Sequence, residues 1–163
     1  MSAPIGPTRA VTALARAGVP HEVRIYDHDP AVTAFGQEAA AALGVEAERV
    51  FKTLVVTTGD GQLVVALVPV TTELDLKTIA AAVGAKRAEM ADAATAERST
   101  GYIVGAISPL GQKRRLPTFV DDTAARWPTI FVSGGRRGLE LELRPDDLVA
   151  ATGGRYAAIG RSR

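Results

Sequence analysis

Two apolar runs on either side of a short turn-forming loop limit what this chain can fold into. Residues 51–57 read Phe-Lys-Thr-Leu-Val-Val-Thr and residues 63–70 read Leu-Val-Val-Ala-Leu-Val-Pro-Val, with Thr58-Gly59-Asp60-Gly61-Gln62 between them. Apolar, β-branched residues flanking a loop that contains Gly and Asp predict a β-hairpin. Further strand-like runs cover residues 23–26, 118–120, 129–132 and 139–143, the last two joined by Ser133-Gly134-Gly135-Arg136-Arg137-Gly138. Short helices fall between them. Thr8 to Ala17 places Val11 and Leu14 on one face and stops at Gly18, and Gly36 to Leu43 is alanine-rich and closes at Gly44. Asp75 suits the N-cap of a helix over 76–83 that ends at Gly84. Pro145 suits a first helical position ahead of Asp146 and Asp147, whose charges favour a helix N-terminus. Hairpin-paired strands with interspersed helices predict a mixed α/β (α+β-like) fold, with a mostly antiparallel or barrel-like sheet and short helices around it.

At 163 residues, with 47% hydrophobic and 23% charged, the chain suits one domain over residues 1–163 with its core over about 8–159. There is no cysteine, which excludes a thiol nucleophile, a thiolate zinc site, an iron–sulfur cluster and a disulfide scaffold together. His21 and His28 are the only histidines, so a histidine-based metal site would need carboxylates to complete it. The net charge of +1 is unevenly spread: residues 1–100 carry nine Lys/Arg against twelve Asp/Glu, and residues 101–163 carry ten against six. The basic half can meet a polyanion locally, but the chain lacks the field of a dedicated DNA binder. No apolar run approaches 18 residues, and residues 1–7 lack a charged stretch followed by an apolar one. A cytoplasmic protein without a membrane span is the expectation.

The common enzymatic signatures are absent: no Walker-type phosphate loop, no dinucleotide fingerprint, no zinc-protease helix and no nucleophile elbow. The histidines suit turn or surface roles better than catalysis. Lys52 is oddly placed beside the start of an apolar strand, where alternation puts Phe51, Thr53 and Val55 on one face and Lys52, Leu54 and Val56 on the other. It reads either as an edge lysine that discourages aggregation or as a fixed cation for an anionic or carbonyl oxygen. Glycines 101, 105 and 111 with Pro109 make a loop that is either a plain turn cluster or a place where substrate approaches the main chain. The Ser133–Gly138 loop reads as a solvated hairpin tip or as a phosphate contact through its two arginines. Lys113, Arg114 and Arg115, unremarkable alone, suit an RNA backbone when placed beside a glycine loop.

Three segments together, FKTLVV at 51–56, EMADAATAERSTGYIVGAISPLGQKRRLPT at 89–118 and IFVSGGRRGLELEL at 130–143, resemble the YbaK/EbsC family of free-standing aminoacyl-tRNA editing proteins. These are related to the inserted editing domain of bacterial prolyl-tRNA synthetase, and the similarity runs from about Thr8 to Ile159, including Tyr26-Asp27-His28-Asp29-Pro30. The resemblance implies a deacylase that removes cysteine from Cys-tRNA(Pro), or from Cys-tRNA(Cys), without metal or cofactor. It implies that the substrate's thiol attacks its own ester and leaves as a thiolactone. The family's lysine and its neighbouring threonine match Lys52 and Thr53, its glycine-to-proline loop matches Gly105 to Pro109, and its pocket positions match Tyr26, Phe35 and Ser133. Lys52 and Gly105 are thereby expected to act on the ester, and Tyr26, Phe35, Thr53, Ser133 and Pro109 to bind substrate. Gly105-Ala106 stands where the family's Cys-tRNA deacylase branch often has two glycines, and the added methyl is expected to narrow the loop. The implied partners are aminoacyl-tRNA and prolyl-tRNA synthetase, with neither DNA nor membrane. An Ala- or Ser-specific deacylase using water, and a non-catalytic module that binds tRNA or a synthetase, are the alternatives.

Overall fold

The computed structural model describes residues 7–162, so the reading of residues 1–7 as leaderless lies almost wholly outside them. The hairpin forms as β2 (Phe51–Thr58) and β3 (Leu63–Pro69), antiparallel with Val55 opposite Val65. Its turn is closed by the Gln62 carbonyl accepting from the Thr58 N–H at 2.8 Å. Every residue of β3 is buried. Alternation sends Val65 and Leu67 to a core with Leu14, Val120, Ile130 and Leu141, and sends Val64, Ala66 and Val68 to a second core with Ile79, Phe119 and Ile159. Each such valine or leucine contributes about 1.5–3 kcal/mol of burial before its entropy cost, which makes this strand the spine of the fold.

Around it the sheet runs β5-β2-β3-β6-β9, with β5 (Ala88–Met90) antiparallel to β2, while β6 (Thr118–Asp121) is parallel to both β3 and β9 (Arg155–Ala157). A second, antiparallel sheet orders β1 (Glu22–Ile25), β8 (Leu139–Leu143) and β7 (Ile130–Ser133) as β1-β8-β7. The two meet where Val50 bridges Phe131 in parallel. β4 (Thr72–Leu74) and β10 (Gly160–Ser162) form a small antiparallel pair. Apart from the bridge, parallel pairing is confined to the flanks of β6, so the mixed, mostly antiparallel architecture read from the sequence holds.

Among the described residues, five α-helices surround the sheets. α1 (Arg9–Ala17) starts where the Thr8 hydroxyl accepts from the Val11 N–H and ends at left-handed Gly18. α2 (Phe35–Leu43) begins one residue ahead of the sequence reading, which puts Phe35 in its first turn. α3 (Leu76–Ala82) is capped by Asp75, and α5 (Pro145–Thr152) opens on its proline. α4 (Ala93–Thr100), capped by Asp92, has no counterpart in the sequence reading.

Candidate functional site

A cleft of about 590 Å³ opens between the start of α2, the first half of β2, and the loops around residues 104–107 and 133–140. Six of the seven expected site residues line it: Tyr26, Phe35, Lys52, Thr53, Gly105 and Ser133. Pro109 does not; it is buried and outside the lining.

The position of β2 explains how Lys52 and Thr53, on opposite strand faces, both reach the cleft. β5 pairs only with Val56–Thr58 and β7 bridges only at Val50, so the stretch of β2 between them has no paired strand on that side among the described residues. The Val55 carbonyl accepts from the Ala91 N–H on the β5 side, and strand alternation therefore aims the main-chain groups of Thr53 from the same edge toward the cleft. The Thr53 Oγ1 is buried without a hydrogen-bond partner among the described residues. A buried hydroxyl in that state costs free energy that a ligand's polar atom would recover.

Across the cleft, Gly105 adopts φ +93°, and a Cβ there would stand 2.5 Å from the Phe35 Cε2. Only glycine lets the loop lie this close to the ring. Arg137 fixes the contact: its guanidinium stacks over Phe35 at 4.4 Å and donates to the Val104 carbonyl at 3.1 Å. His28 meets the Phe35 ring edge-on at 5.6 Å, and its Nδ1 lies 2.7 Å from the Glu38 carboxylate. The Asp29 N–H, then His28, hold the Glu38 carboxyl below its ordinary range. His28 thus positions Phe35, while His21 bonds the Val19 carbonyl in a turn, and neither histidine lines the cleft. The Ala106 methyl, expected to narrow the loop, points away from the cleft lining. Ala106 is 1% exposed, is absent from the lining, and donates its N–H to the Ile103 carbonyl at 2.9 Å.

The floor belongs to the second sheet. The Ser133 hydroxyl accepts from the Gly135 N–H at 3.1 Å and holds the turn, while the strand register places Glu140 directly opposite Ser133. Glu140 lines the cleft at 8% exposure, and desolvation pushes its carboxyl up to about 8. Burial, then the charge of Glu140, raises the Tyr26 phenol. Glu140 escaped the sequence reading because Leu139-Glu140-Leu141-Glu142-Leu143 looks like a half-exposed strand. Its polar face is divided: Glu142 pairs with Arg24 and Arg49, and Glu140 faces the cleft. Pairing Ser133 across the hairpin would have pointed to it.

This arrangement offers a cation, an orphan hydroxyl, a carboxyl that burial keeps protonated and a close-approach glycine, in a cavity of small-molecule size. The model of the aminoacyl-tRNA editing domain family matches residues 28–151. A protein from Enterococcus faecalis named "Putative Cys-tRNA(Pro)/Cys-tRNA(Cys) deacylase EbsC" is 42% identical over 123 residues, covering 76% of this chain and 75% of that protein. The crystal structure of "a putative trans-editing enzyme for prolyl tRNA synthetase" superposes with a TM-score of 0.83 at 28% identity, covering 94% of this chain and 96% of that one. The crystal structure of hypothetical protein APE2540 superposes with a TM-score of 0.85 at 27% identity, covering 94% and 100%.

Proposed function

The chain belongs to the aminoacyl-tRNA editing domain family, and we propose that its cleft strips cysteine from mischarged Cys-tRNA(Pro), or from Cys-tRNA(Cys), using the substrate's own thiol. It is an aminoacyl-tRNA deacylase. The observation that carries the cysteine reading is what lines the cleft: Ser133, Thr53 and Thr33 bring hydroxyls, but neither histidine is there to activate one. A substrate thiol, with an ordinary pKa of about 8.5, reaches its nucleophilic anion far more readily than such hydroxyls do.

In the proposed reaction the cysteinyl sulfur loses its proton and attacks its own ester carbonyl. The tetrahedral oxyanion collapses, the carbon–oxygen bond to the terminal ribose breaks, and that oxygen takes up a proton. Free tRNA and a cyclic thiolactone leave. Being intramolecular, the attack needs positioning more than it needs a protein nucleophile. Lys52 supplies positive charge to the ester oxygens, and the Gly105 N–H is the main-chain donor at the carbonyl; Ala106, whose N–H already serves Ile103, is not. The incoming α-ammonium lowers the pKa of Glu140, ionises it and is held by it, while the Thr53 hydroxyl takes the remaining polar contact. Tyr26 and Phe35 wall the amino-acid pocket.

A second site of this kind answers a physical limit, since a pocket built for proline rejects a smaller amino acid by only about 1–3 kcal/mol per methylene. The likeness to a structure described as a trans-editing enzyme for prolyl tRNA synthetase supports that synthetase as the source of the mischarged substrate. The test is single-turnover deacylation of Cys-tRNA(Pro), with mass spectrometry of the released product. Thiolactone from the wild type and a loss of about 10²-fold or more in Lys52→Ala are expected, the size of removing one oxyanion donor. Free cysteine as the first product, or an undiminished Lys52→Ala, overturns the mechanism; preferential release of alanine or serine overturns the substrate.

A further inference from the structure

The loop from Gly101 to Lys113 has two unlike surfaces. Residues 106–110 are buried, whereas Ile103 is 54% and Val104 46% exposed, at the rim of the cleft that Val104 itself lines. Cations from three separated parts of the chain converge on it. Arg9, at the start of α1, donates its Nε–H to the Gly111 carbonyl at 2.9 Å. The Lys113 stem lies across Gly101, its Cγ 3.0 Å from where a Cβ would stand. Arg137 holds the Val104 carbonyl, and its neighbour Arg136 lines the cleft. The carboxylate bonded to this loop is Glu97, which accepts from the Val104 N–H at 2.9 Å. Arg9, Lys113 and Arg137 are exposed, so their charges face solvent on the loop that carries the exposed apolar pair.

We propose that this surface is the landing platform for the unpaired RNA nucleotides immediately upstream of the terminal adenosine, a reading that rests on the deacylase function above. An exposed apolar pair on a loop held by cations matches a ligand that presents flat apolar faces and phosphates together. A duplex stacks its bases away and would engage the cations alone, leaving Ile103 and Val104 unexplained. The platform is continuous with the cleft through Val104 and Gly105, so a strand lying on it delivers its 3′ end to Lys52. Arg9 lies outside the 28–151 family span, and the structure rather than the motif brings it here.

The experiment uses a fluorescent, uncharged acceptor minihelix, with its single-stranded 3′ overhang or blunt, in anisotropy titrations across a salt series. The Arg9→Gln/Lys113→Gln variant is expected to bind the overhang minihelix about tenfold more weakly, with a log–log salt slope shallower by about 1.4, two single-strand phosphate contacts. Arg9→Lys/Lys113→Arg keeps both charges and restores the slope, which separates charge from damage to the loop. Ile103→Ser/Val104→Ser weakens overhang binding at every salt concentration and leaves the slope as in the wild type. Ile103→Ser/Val104→Ser leaves binding of the blunt duplex unaltered, and Arg9→Gln/Lys113→Gln weakens it by less than it weakens overhang binding. The Arg9→Gln/Lys113→Gln variant keeps the wild-type rate on 3′-cysteinyl-adenosine, which is too short to reach the platform, while its KM for Cys-tRNA rises about tenfold. Wild-type binding to neither RNA, unchanged overhang binding in the variants, or equal losses on overhang and blunt RNA overturns the platform. If the wild type deacylates nothing yet shows the overhang-specific pattern, the deacylase reading falls and the platform stands.

Discussion

Glu140 couples folding to pH because burial holds its proton where the unfolded chain lets it go. Its carboxyl ionises near 8 in the fold, against an ordinary value of 4.5. Between those pH values the unfolded state binds fewer protons than the folded one, so stability falls as pH rises and is level again above about 8. The whole step is about 3–5 kcal/mol. Urea denaturation of the free protein at pH 5 and pH 8 is therefore expected to show a loss of that order, and Glu140→Gln to remove most of it. Equal pH dependence in the two proteins would mean that the carboxyl ionises normally. The fold keeps a costly group where a substrate ammonium would compensate it, which is the pattern of a binding residue and not of a structural one. Thr53 makes the same point without charge. Thr53→Val removes an orphan hydroxyl, so it is expected to leave stability within about 0.5 kcal/mol or raise it, and to raise KM for aminoacyl-tRNA. Thermal melts and steady-state deacylation read the two effects separately.

At the scale of elements, the cleft depends on how α2 seats against the end of the hairpin. A Cβ on Gly36 would stand 2.1 Å from the Val70 Cγ1, so Gly36→Ala must push the helix off Val70 and carry Phe35 away from Gly105 and Arg137. A destabilisation of about 1–3 kcal/mol and a raised KM are expected. Because Val70→Ala removes the clashing methyl, a double-mutant cycle over the two positions is expected to show favourable coupling of about 1 kcal/mol or more; additive effects would place the strain elsewhere. The sequence reveals such elements only where periodicity or turn chemistry is strong. The hairpin, the Gly18 and Gly44 helix ends and the Asp75 cap were legible because each carries its own local signal. α4 was hidden because its buried face is Ala96, Ser99 and Thr100, too small and polar to form an apolar stripe. β4, β5, β9 and β10 have three residues each, too few for alternation to register. Most of the site was legible through the family resemblance, but Glu140 and the role of Arg137 were not, since both depend on which residues face each other across the β7–β8 hairpin and the cleft.

Taken as a whole, the molecule holds a shaped and charged cleft but neither a cysteine nor a histidine inside it to start the reaction. There is no cysteine in the chain, and both histidines are engaged away from the cleft, one on Glu38 and one on the Val19 carbonyl. The selectivity of such an enzyme must then come from what the substrate brings as well as from what fits. Cysteine, serine and alanine differ little in size, so a cleft that admits one admits all three, and shape alone predicts similar rates. Reactivity predicts otherwise. Serine's hydroxyl needs a positioned base, worth about 10²–10⁴-fold, that no histidine here supplies, and alanine has no nucleophile at all. Single-turnover assays with the three amino acids on the same tRNA are expected to show cysteine released about 10²–10⁴-fold faster than serine or alanine. S-methylcysteine, close to cysteine in shape but without an ionisable thiol, is expected to stay on the tRNA as alanine does. Rapid release of S-methylcysteine would show that water is the nucleophile, and would turn Glu140 from a holder of the amino group into the base that activates it.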